Sequence, residues 1–320
     1  MGTLTDDQLR EVEEARSARQ PTARATSPAL EDILYQPFDV LDHGFVRVVD
    51  YMGNDDAVVQ GARVSYGRGT RQVQGDRGLI RYLMRHRHTT PFELAELKLH
   101  VRAPLFVTRQ WFRHRTASIN EYSARYSVLE REFYLPDASQ ISVQSRANRQ
   151  GRGEIADPEI AAQVIETLRA DAARSYDHYL EMLNEDEQGN TIDPARPGIA
   201  RELARINLPV GIYTQFYWKV NLWNLLHFLH LRADPHAQHE IRVYADAILD
   251  IVQRWVPTVH EAFRDYVLNG SFLSAQQIAL VRAAIQSGSP VDPAQMGLTP
   301  RETRELIDVL PELAGRVGRG

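Results

Sequence analysis

The chain has 320 residues, a formal net charge of −5 at pH 7 and no cysteine. The lack of cysteine excludes disulfides, thiolate metal sites and a cysteine nucleophile, and the acidic balance disfavours a dedicated nucleic-acid binder. The N-terminus has no apolar segment of a secretory signal, and no run approaches the ~18 apolar residues of a membrane span. We therefore expect a cytoplasmic protein with no nucleic-acid or membrane partner.

The first 36 residues are polar and rich in Ala, Ser, Thr and Arg. Such a composition predicts a disordered arm, with at most a frayed acidic helix at 5–18, because too little apolar surface is available for burial. Since the arm lacks an apolar pattern, we expect it to be dispensable for activity.

The next elements follow from periodicity, caps and prolines. Leu97, Leu99 and Val101 alternate with Lys98 and His100, which predicts a half-buried strand at 96–102. The other predicted elements are a strand at 45–51, a helix from Asn54 to about Ala62, a loop at 67–78, helices at 78–86 and after Pro104, a strand at 132–136, a loop at 139–157, a helix at 158–183, a linker at 184–197, a helix between Pro197 and Pro209, helices at 212–232 and 237–268, and two helical stretches in 271–320. Helices with a few separate strands predict an α+β fold, with a mixed or antiparallel sheet flanked by long helices.

The densest polar cluster is RQWFRHRTASINEYSARYS at 109–127. Its arginines alternate with hydroxyl and amide side chains, and Gln110 and Arg113 share one helix face. Guanidinium groups bind phosphate in a bidentate manner, so the segment predicts a phosphate cradle. The alternative is a solvated basic face, because only Lys98 and Lys219 among the 37 basic residues are lysines and arginine is common throughout.

Histidines and a mixed helix form two further clusters. In HRHTTPFE at 86–93 the two histidines lack a carboxylate set, so metal binding is disfavoured and contact with a polar ring is the better functional interpretation. In the segment 221–240, Asn221 and Arg232 share one helical stripe, whereas Trp223 and His227 lie nearly opposite. A helix with polar groups on two sides requires ligands or partner chains if it is buried, and otherwise it is a core helix with a wet surface.

These segments resemble one family. RHRTASINEYSAR at 113–125 resembles the signature of flavin-dependent thymidylate synthases, in which R-H-R is followed seven residues later by serine. Further blocks agree in order: GARVSYGR at 61–68, HRHTTPFE at 86–93, APLFVTRQWFRHR at 103–115, ARINLP at 204–209 and LRADPHAQ at 231–238. The resemblance covers roughly residues 40–268.

The resemblance implies a homotetramer whose active sites are shared between subunits. The family methylates dUMP to dTMP with methylenetetrahydrofolate as carbon donor, NADPH as reductant and FAD as hydride carrier. The resemblance also implies a single catalytic domain at 37–270. This domain lies between the N-terminal arm at 1–36 and a helical C-terminal extension at 271–320 of unknown role. Without a cysteine the thiolate route to thymidylate is closed, which agrees with a flavin-dependent route.

The resemblance also implies site residues. The dUMP set is Gln110, Trp111, Phe112, Arg113, Glu121, Tyr122, Ser123, Ala124, Arg125, Arg205 and Arg232. The FAD set is Ser65, His88, Thr90, Arg113, His114, Arg115, Thr116, Glu121, Asn221, Leu222, Trp223 and His227. Arg232 is the expected catalytic residue, because it resembles the arginine that stabilises ionised uracil N3, and no metal is expected.

Two positions depart from the family pattern, and two alternatives remain open. Trp223 replaces a common Arg or His near the FAD, where it either stacks on adenine or fills a subunit contact, and Leu94 replaces a frequent histidine. The first alternative function is another flavin-dependent enzyme that modifies uracil C5. The second is a non-enzymatic nucleotide-binding protein that uses the same arginines.

Overall fold

The computed structural model describes residues 6–18, 21–64, 73–145 and 151–318. The chain divides into two compact units, Met1–Phe263 and Arg264–Gly320. One predicted site residue, Ser65, lies outside the described residues. All the other predicted site residues belong to the first unit.

The first unit is built on an antiparallel sheet. Its described strands are β1 (Phe38–Val40), β2 (Gly44–Met52), β3 (Glu96–Pro104), β4 (Ser118–Glu121), β5 (Ser142–Gln144), β6 (Arg152–Ile155) and β7 (Tyr213–Asn221). Five of them form one sheet in the order β1-β2-β3-β7-β4, and β5 and β6 form a separate hairpin. Every neighbouring pair is antiparallel, so the predicted α+β class with an antiparallel sheet is confirmed.

Helices surround this sheet. Those described in the first unit are α1 (Asp6–Ser17), α2 (Pro28–Glu31), α3 (Asp55–Val64), α4 (Val73–Arg85), α5 (Thr90–Glu93), α6 (Leu105–Trp111), α7 (Pro158–Leu183), α8 (Arg201–Ala204), α9 (Leu222–Arg232), α10 (His239–Trp255) and α11 (Pro257–Phe263). In the part of the chain that is described, no helix combines the length and the apolar character needed to cross a membrane.

The predicted strand at 96–102 is confirmed as β3, in the centre of the sheet. The prediction that it is half-buried is wrong, because His100 and Arg102 on the other face are buried as well. Leu97, Leu99 and Val101 are fully buried on one face, and β3 pairs with β2 on one side and with β7 on the other. Burial of alternate apolar side chains by the helices is the main source of stability here, since each fully buried leucine contributes about 1.5–3 kcal/mol.

The helix predicted over 212–232 is wrong in its first half. Residues 213–221 form β7, and the helix begins only at Leu222. Phe216, Trp218 and Val220 are buried, whereas Tyr217 and Lys219 between them are exposed, which is the period of two of a strand. Pairing with β3 and β4 on both sides provides the backbone hydrogen bonds that a helix would otherwise supply.

Other boundaries differ for local reasons. The strand predicted at 132–136 is reduced to one bridge between Phe133 and Ile212. The polar cluster at 109–127, for which no strand was predicted, contains the edge strand β4. The helix predicted between Pro197 and Pro209 shortens to α8 and one 3₁₀ turn, and that predicted over 237–268 divides before Pro257 into α10 and α11. Proline explains the last break because its nitrogen cannot donate within a helix.

The arm is not disordered over its last part. Ser27, Leu30 and Ile33 are buried, and the Ser27 hydroxyl donates to the carbonyl of Arg254 at 2.8 Å. By contrast, α1 buries none of its residues. The expectation of disorder to residue 36 therefore fails for 27–33, where two apolar residues spaced three apart reach the core.

We expect Leu30→Ala to lower the free energy of unfolding by about 2–5 kcal/mol, because it leaves a cavity beside α10. Leu9→Ala is the matched control in the arm, since Leu9 is 48% exposed. Its effect should stay within about 0.5 kcal/mol. Urea unfolding of both variants measures the difference, and equal losses would show that α2 is not anchored in the core.

The second unit has a small core of its own. It contains a π-helical turn at Arg264–Leu268, α12 (Ala275–Gln286) and α13 (Pro300–Val309). Leu280, Leu298 and Leu306 are among its buried residues. Capping boxes begin both α-helices, at Ser274 and Thr299. The two predicted helical stretches in 271–320 are confirmed.

Candidate active site

The strand β7 passes directly into α9, and this junction starts the site. Asn221, the last residue of β7, caps α9: its side-chain oxygen accepts from the backbone N–H of Asn224 at 3.0 Å and from its side-chain amide at 2.8 Å. An asparagine cap satisfies an otherwise unpaired helix N–H. The cap explains locally why the chain changes from strand to helix at residue 221.

The turn after α6 faces the exposed side of α9. Between them is a cavity of about 290 Å³, which we call the arginine cavity. It is lined by Arg113, His114, Arg115, Thr116, Trp218, Val220, Asn224, His227, Leu231 and Arg232. Of the predicted residues, the structure thus brings together Arg113, His114, Arg115, Thr116, His227 and Arg232. Three guanidinium groups in one cavity favour an anionic or electron-rich ligand.

Arg232 is held in place by two acceptors. Its Nε donates to Nε2 of His114 at 3.1 Å, and its Nη2 lies 3.5 Å from the backbone oxygen of Gln110. The pKa of His114 is lowered to about 4, by burial first and then by the charges of Arg232 and His227. His114 is therefore a neutral acceptor at neutral pH, which is the form that can accept from a guanidinium.

We expect His114 to make the protein less stable in acid. Its folded pKa of about 4 lies below the ordinary value of 6.5, so between these values the unfolded chain binds a proton that the folded chain does not. Stability therefore falls as the pH falls through this interval. In His114→Gln, the shift in urea midpoint between about pH 7.5 and about pH 5 should be smaller than in the parent chain.

His236→Gln is the control for this pH effect, because the His236 side chain is 91% exposed. Its shift in midpoint should match that of the parent chain. The buried His100, whose pKa is also lowered to about 4 mainly by burial, is present in all three chains and cancels. Identical shifts in the parent chain and His114→Gln would contradict the neutral state assigned to His114.

A second cavity, of about 370 Å³, opens at the other end of β7. It is lined by Leu105, Glu121, Tyr122, Ala124, Leu129, Glu202, Arg205, Ile206, Leu208, Ile212, Tyr213 and Thr214. We call it the Glu121 cavity. It collects Glu121, Tyr122, Ala124 and Arg205 from the predicted dUMP set. Thr214 and Trp218, one from each cavity, are four residues apart on the same face of β7, about 13 Å along the strand.

Two residues that were predicted to contact ligands lie in the core. Trp111 is 0% exposed, and its ring packs 5.3 Å from Trp218 and 4.8 Å from Phe228 between ring centroids. Leu222 is also 0% exposed. These side chains are large and apolar and sit on the inward faces of α6 and α9. The structure therefore gives their side chains a packing role and does not place them at a cavity wall.

The remaining predicted residues lie around the cavities at various exposures. Phe112 packs edge to face on Phe216 at 5.1 Å. After β4, Ser123 is half-buried and Arg125 is exposed in the following turn. His88 stacks on Tyr82 at 5.8 Å. Thr90 begins α5, and Trp223, half-buried, lies 6.0 Å from Phe92. None of these six is among the residues that line the two cavities within the described parts of the chain.

Sequence reasoning missed Asn224, Leu231 and Thr214, which line the cavities. Asn224 and Leu231 lie three residues before His227 and four after it, so helical spacing from His227 would have found both. Thr214 carried no usable signal, because the segment that contains it was interpreted as a helix.

The first unit is thus an α+β unit with two cavities along one strand, of which the arginine cavity is suited to an anionic ligand. A family model described as thymidylate synthase complementing protein matches residues 47–258. The flavin-dependent thymidylate synthase of Gluconobacter oxydans is 56% identical over 307 residues, which cover 96% of this chain and 98% of the relative. That of Ruegeria pomeroyi is 55% identical over 307 residues, with 96% and 99% covered.

Solved structures agree with these relatives. The UMP/dUMP methylase PolB from Streptomyces cacaoi, bound with 5-Br UMP, has a TM-score of 0.61 and 35% identity and covers 70% of this chain and 95% of that chain. Its form bound with 5-Br dUMP has a TM-score of 0.62 and 33% identity and covers 72% and 98%. The chain belongs to the flavin-dependent thymidylate synthase family. The predictions of this family and of an enzyme are confirmed.

Proposed function

We propose that the protein methylates dUMP to dTMP, with methylenetetrahydrofolate as carbon donor, NADPH as reductant and FAD as hydride carrier. The observation that carries the proposal is Arg232, a cation held by neutral His114 inside a cavity with two more arginines. The family relationship supports the same reaction. The absence of cysteine agrees with it, because no thiolate is available to attack uracil.

Arg232 supplies the electrostatic part of this chemistry. Burial and the neighbouring Arg113 lower its pKa, yet a guanidinium keeps its proton at neutral pH. A fixed cation stabilises negative charge on the uracil ring as it develops, and it needs no reorganisation to do so because His114 already holds it. Arg232 is thus the proposed catalytic residue.

The donor set of the arginine cavity fits a flavin nucleotide. Arg113 and Arg115 present guanidinium groups, Asn224 carries an amide and His227 an imidazole, and these are suitable partners for phosphate and for ring carbonyls. When bound, FAD would supply hydride transfer, which amino-acid side chains cannot perform. The chain's own residues hold and orient it, and Asn221 acts through its cap on α9.

We further propose a homotetramer with shared active sites, working in the cytoplasm. The predicted dUMP contacts divide between the two cavities of one chain: Arg113 and Arg232 lie in one, and Glu121 and Arg205 in the other. All four residues of the edge strand β4 are exposed. A site completed by the Glu121 cavity of a second copy would bring the two halves to one nucleotide.

Release of tritium from dUMP labelled at C5 tests the reaction. We expect release that requires methylenetetrahydrofolate, NADPH and FAD together, and none when any one is omitted. UMP labelled in the same way is the matched substrate, because the structurally similar PolB is described as a UMP/dUMP methylase. Release from UMP but not from dUMP would show that UMP is the substrate in place of dUMP. Release from neither nucleotide would contradict the proposed function.

A further inference from the structure

A chain of hydrogen bonds connects buried Glu240 at the start of α10 to Gln110 on α6. Glu240 is only 2% exposed. One carboxylate oxygen accepts from Arg152 and, at 3.0 Å, from the hydroxyl of Tyr134. The other accepts from the side-chain amide of Gln238 at 2.9 Å. The Gln238 carbonyl oxygen in turn accepts from the side-chain amide of Gln110.

The chemistry of these groups fixes which side chain donates and which accepts at each hydrogen bond of the series. An ionised carboxylate only accepts, whereas a glutamine side chain has one donating and one accepting end. Gln238 must therefore turn its NH₂ group to Glu240 and its carbonyl to Gln110. Gln110 must then use its own NH₂ group toward Gln238, which directs its carbonyl oxygen elsewhere. The orientation of both amides thus follows from the charge on Glu240.

Glu240 remains ionised in this setting. Burial alone would raise its pKa, but the hydrogen bonds from Arg152 and Gln238 and the charge of Arg152 outweigh burial, and the pKa is lowered. A buried carboxylate with an arginine partner is costly to assemble, so an apolar residue would serve stability as well. A role in orienting its neighbours gives a reason for a charge at this position.

This series of hydrogen bonds ends at the proposed active site. Gln110 precedes Arg113 by three residues, at the end of α6, and its backbone oxygen is 3.5 Å from the catalytic Arg232. We propose that Glu240 is a positioning residue that, through Gln238, makes Gln110 a hydrogen-bond acceptor for dUMP. This rests on the proposed function. The nucleotide has two donors for such an acceptor, the 3′-hydroxyl and the uracil N3–H.

Glu240→Gln tests the direction of the chain with almost no change of shape. Arg152 and Tyr134 both donate to one oxygen, so the new carboxamide keeps its oxygen there and turns its NH₂ group to Gln238. The side-chain amides of Gln238 and Gln110 both reverse as a result. Gln110 then turns its NH₂ group, a donor, toward the donor group of dUMP. We expect dUMP to bind the FAD-loaded protein about tenfold more weakly by calorimetry, the equivalent of one hydrogen bond.

Three comparisons separate this role from a general loss of structure. Asp250→Asn, an exposed carboxylate on α10, should leave the affinity for dUMP unchanged. Gln238→Met interrupts the series of hydrogen bonds but leaves the ion pair of Glu240 with Arg152. It should weaken dUMP binding to the same degree as Glu240→Gln. In a Gln110→Ala background, Glu240→Gln should add nothing, whereas a loss of structure would weaken binding again.

Two analogues identify the donor on the nucleotide. The tenfold penalty of Glu240→Gln should vanish for 2′,3′-dideoxyuridine monophosphate if the 3′-hydroxyl is the partner, or for 3-methyl-dUMP if N3–H is. A penalty that persists with both analogues would overturn the acceptor role. Normal dUMP affinity in both Glu240→Gln and Gln238→Met would do the same, whereas a parent protein that fails to bind dUMP contradicts the proposed function instead.

Discussion

Arg232→Ala should reduce kcat by about 10²–10³, because in the proposed mechanism it removes the fixed cation that stabilises negative charge developing on the uracil ring. FAD should remain bound, since Arg113, Arg115 and His227 still line the arginine cavity. The measurements are NADPH-dependent turnover of dUMP and the ratio of flavin to protein absorbance after purification. The pKa of His114 should also rise in this variant, because Arg232 is one of the charges that lower it.

Arg109→Ala is the matched control, since Arg109 is an exposed arginine on the same helix as Gln110 and outside the cavity lining. It should keep normal turnover. Arg232→Lys retains a charge but loses the planar fork, so we expect an intermediate rate. Turnover of Arg232→Ala near that of the parent enzyme would rule out the catalytic role.

Trp111→Ala should destabilise the fold by about 3–5 kcal/mol, because it removes a large, fully buried side chain at the contact of α6, β7 and α9. Its ring touches Phe216, Trp218 and Phe228 and is fully buried. In a unit of this size the loss corresponds to a melting temperature lower by on the order of 10 °C. Thermal unfolding followed by tryptophan fluorescence and by circular dichroism measures it.

Trp223→Ala is the control for Trp111→Ala, because Trp223 is only half-buried. Its loss of stability should be closer to about 1 kcal/mol. Trp223→Ala also decides between the two interpretations of this ring: weaker FAD binding supports stacking on adenine, and a dissociated oligomer supports a subunit contact. If Trp111→Ala melts normally but loses affinity for dUMP, its assignment to the core is wrong.

Local patterns predicted much of the secondary structure. The alternation of Leu97, Leu99 and Val101 predicted β3, and Asp157-Pro158 predicted the start of α7, where Asp157 does cap the helix. Such signals lie within a few residues of the element they define. The two helical stretches of the second unit were predicted as well, and in the structure capping boxes at Ser274 and Thr299 begin them.

The family was predictable because its motif is long and chemically unusual. RHRTASINEYSAR carries three arginines, a histidine and a glutamate at set positions, and the comparisons confirm the family that it predicts. The motif could not say which side chains line a cavity. Trp111 falls within the block at 103–115, yet it packs inward, because a block of sequence contains core residues as well as ligand contacts.

The sequence by itself determined the family, the exclusion of cysteine chemistry, the arginine-rich segment and the elements with strong local signals. Only the tertiary structure decided that 213–221 is a strand, because its apolar and aromatic residues suit a buried helix as well until β3 and β4 pair with it. The same long-range pairing places the two cavities along β7 and brings His114 to Arg232, 118 residues apart in the chain. Contacts at such separations depend on how the elements pack, and no local pattern in the sequence encodes them.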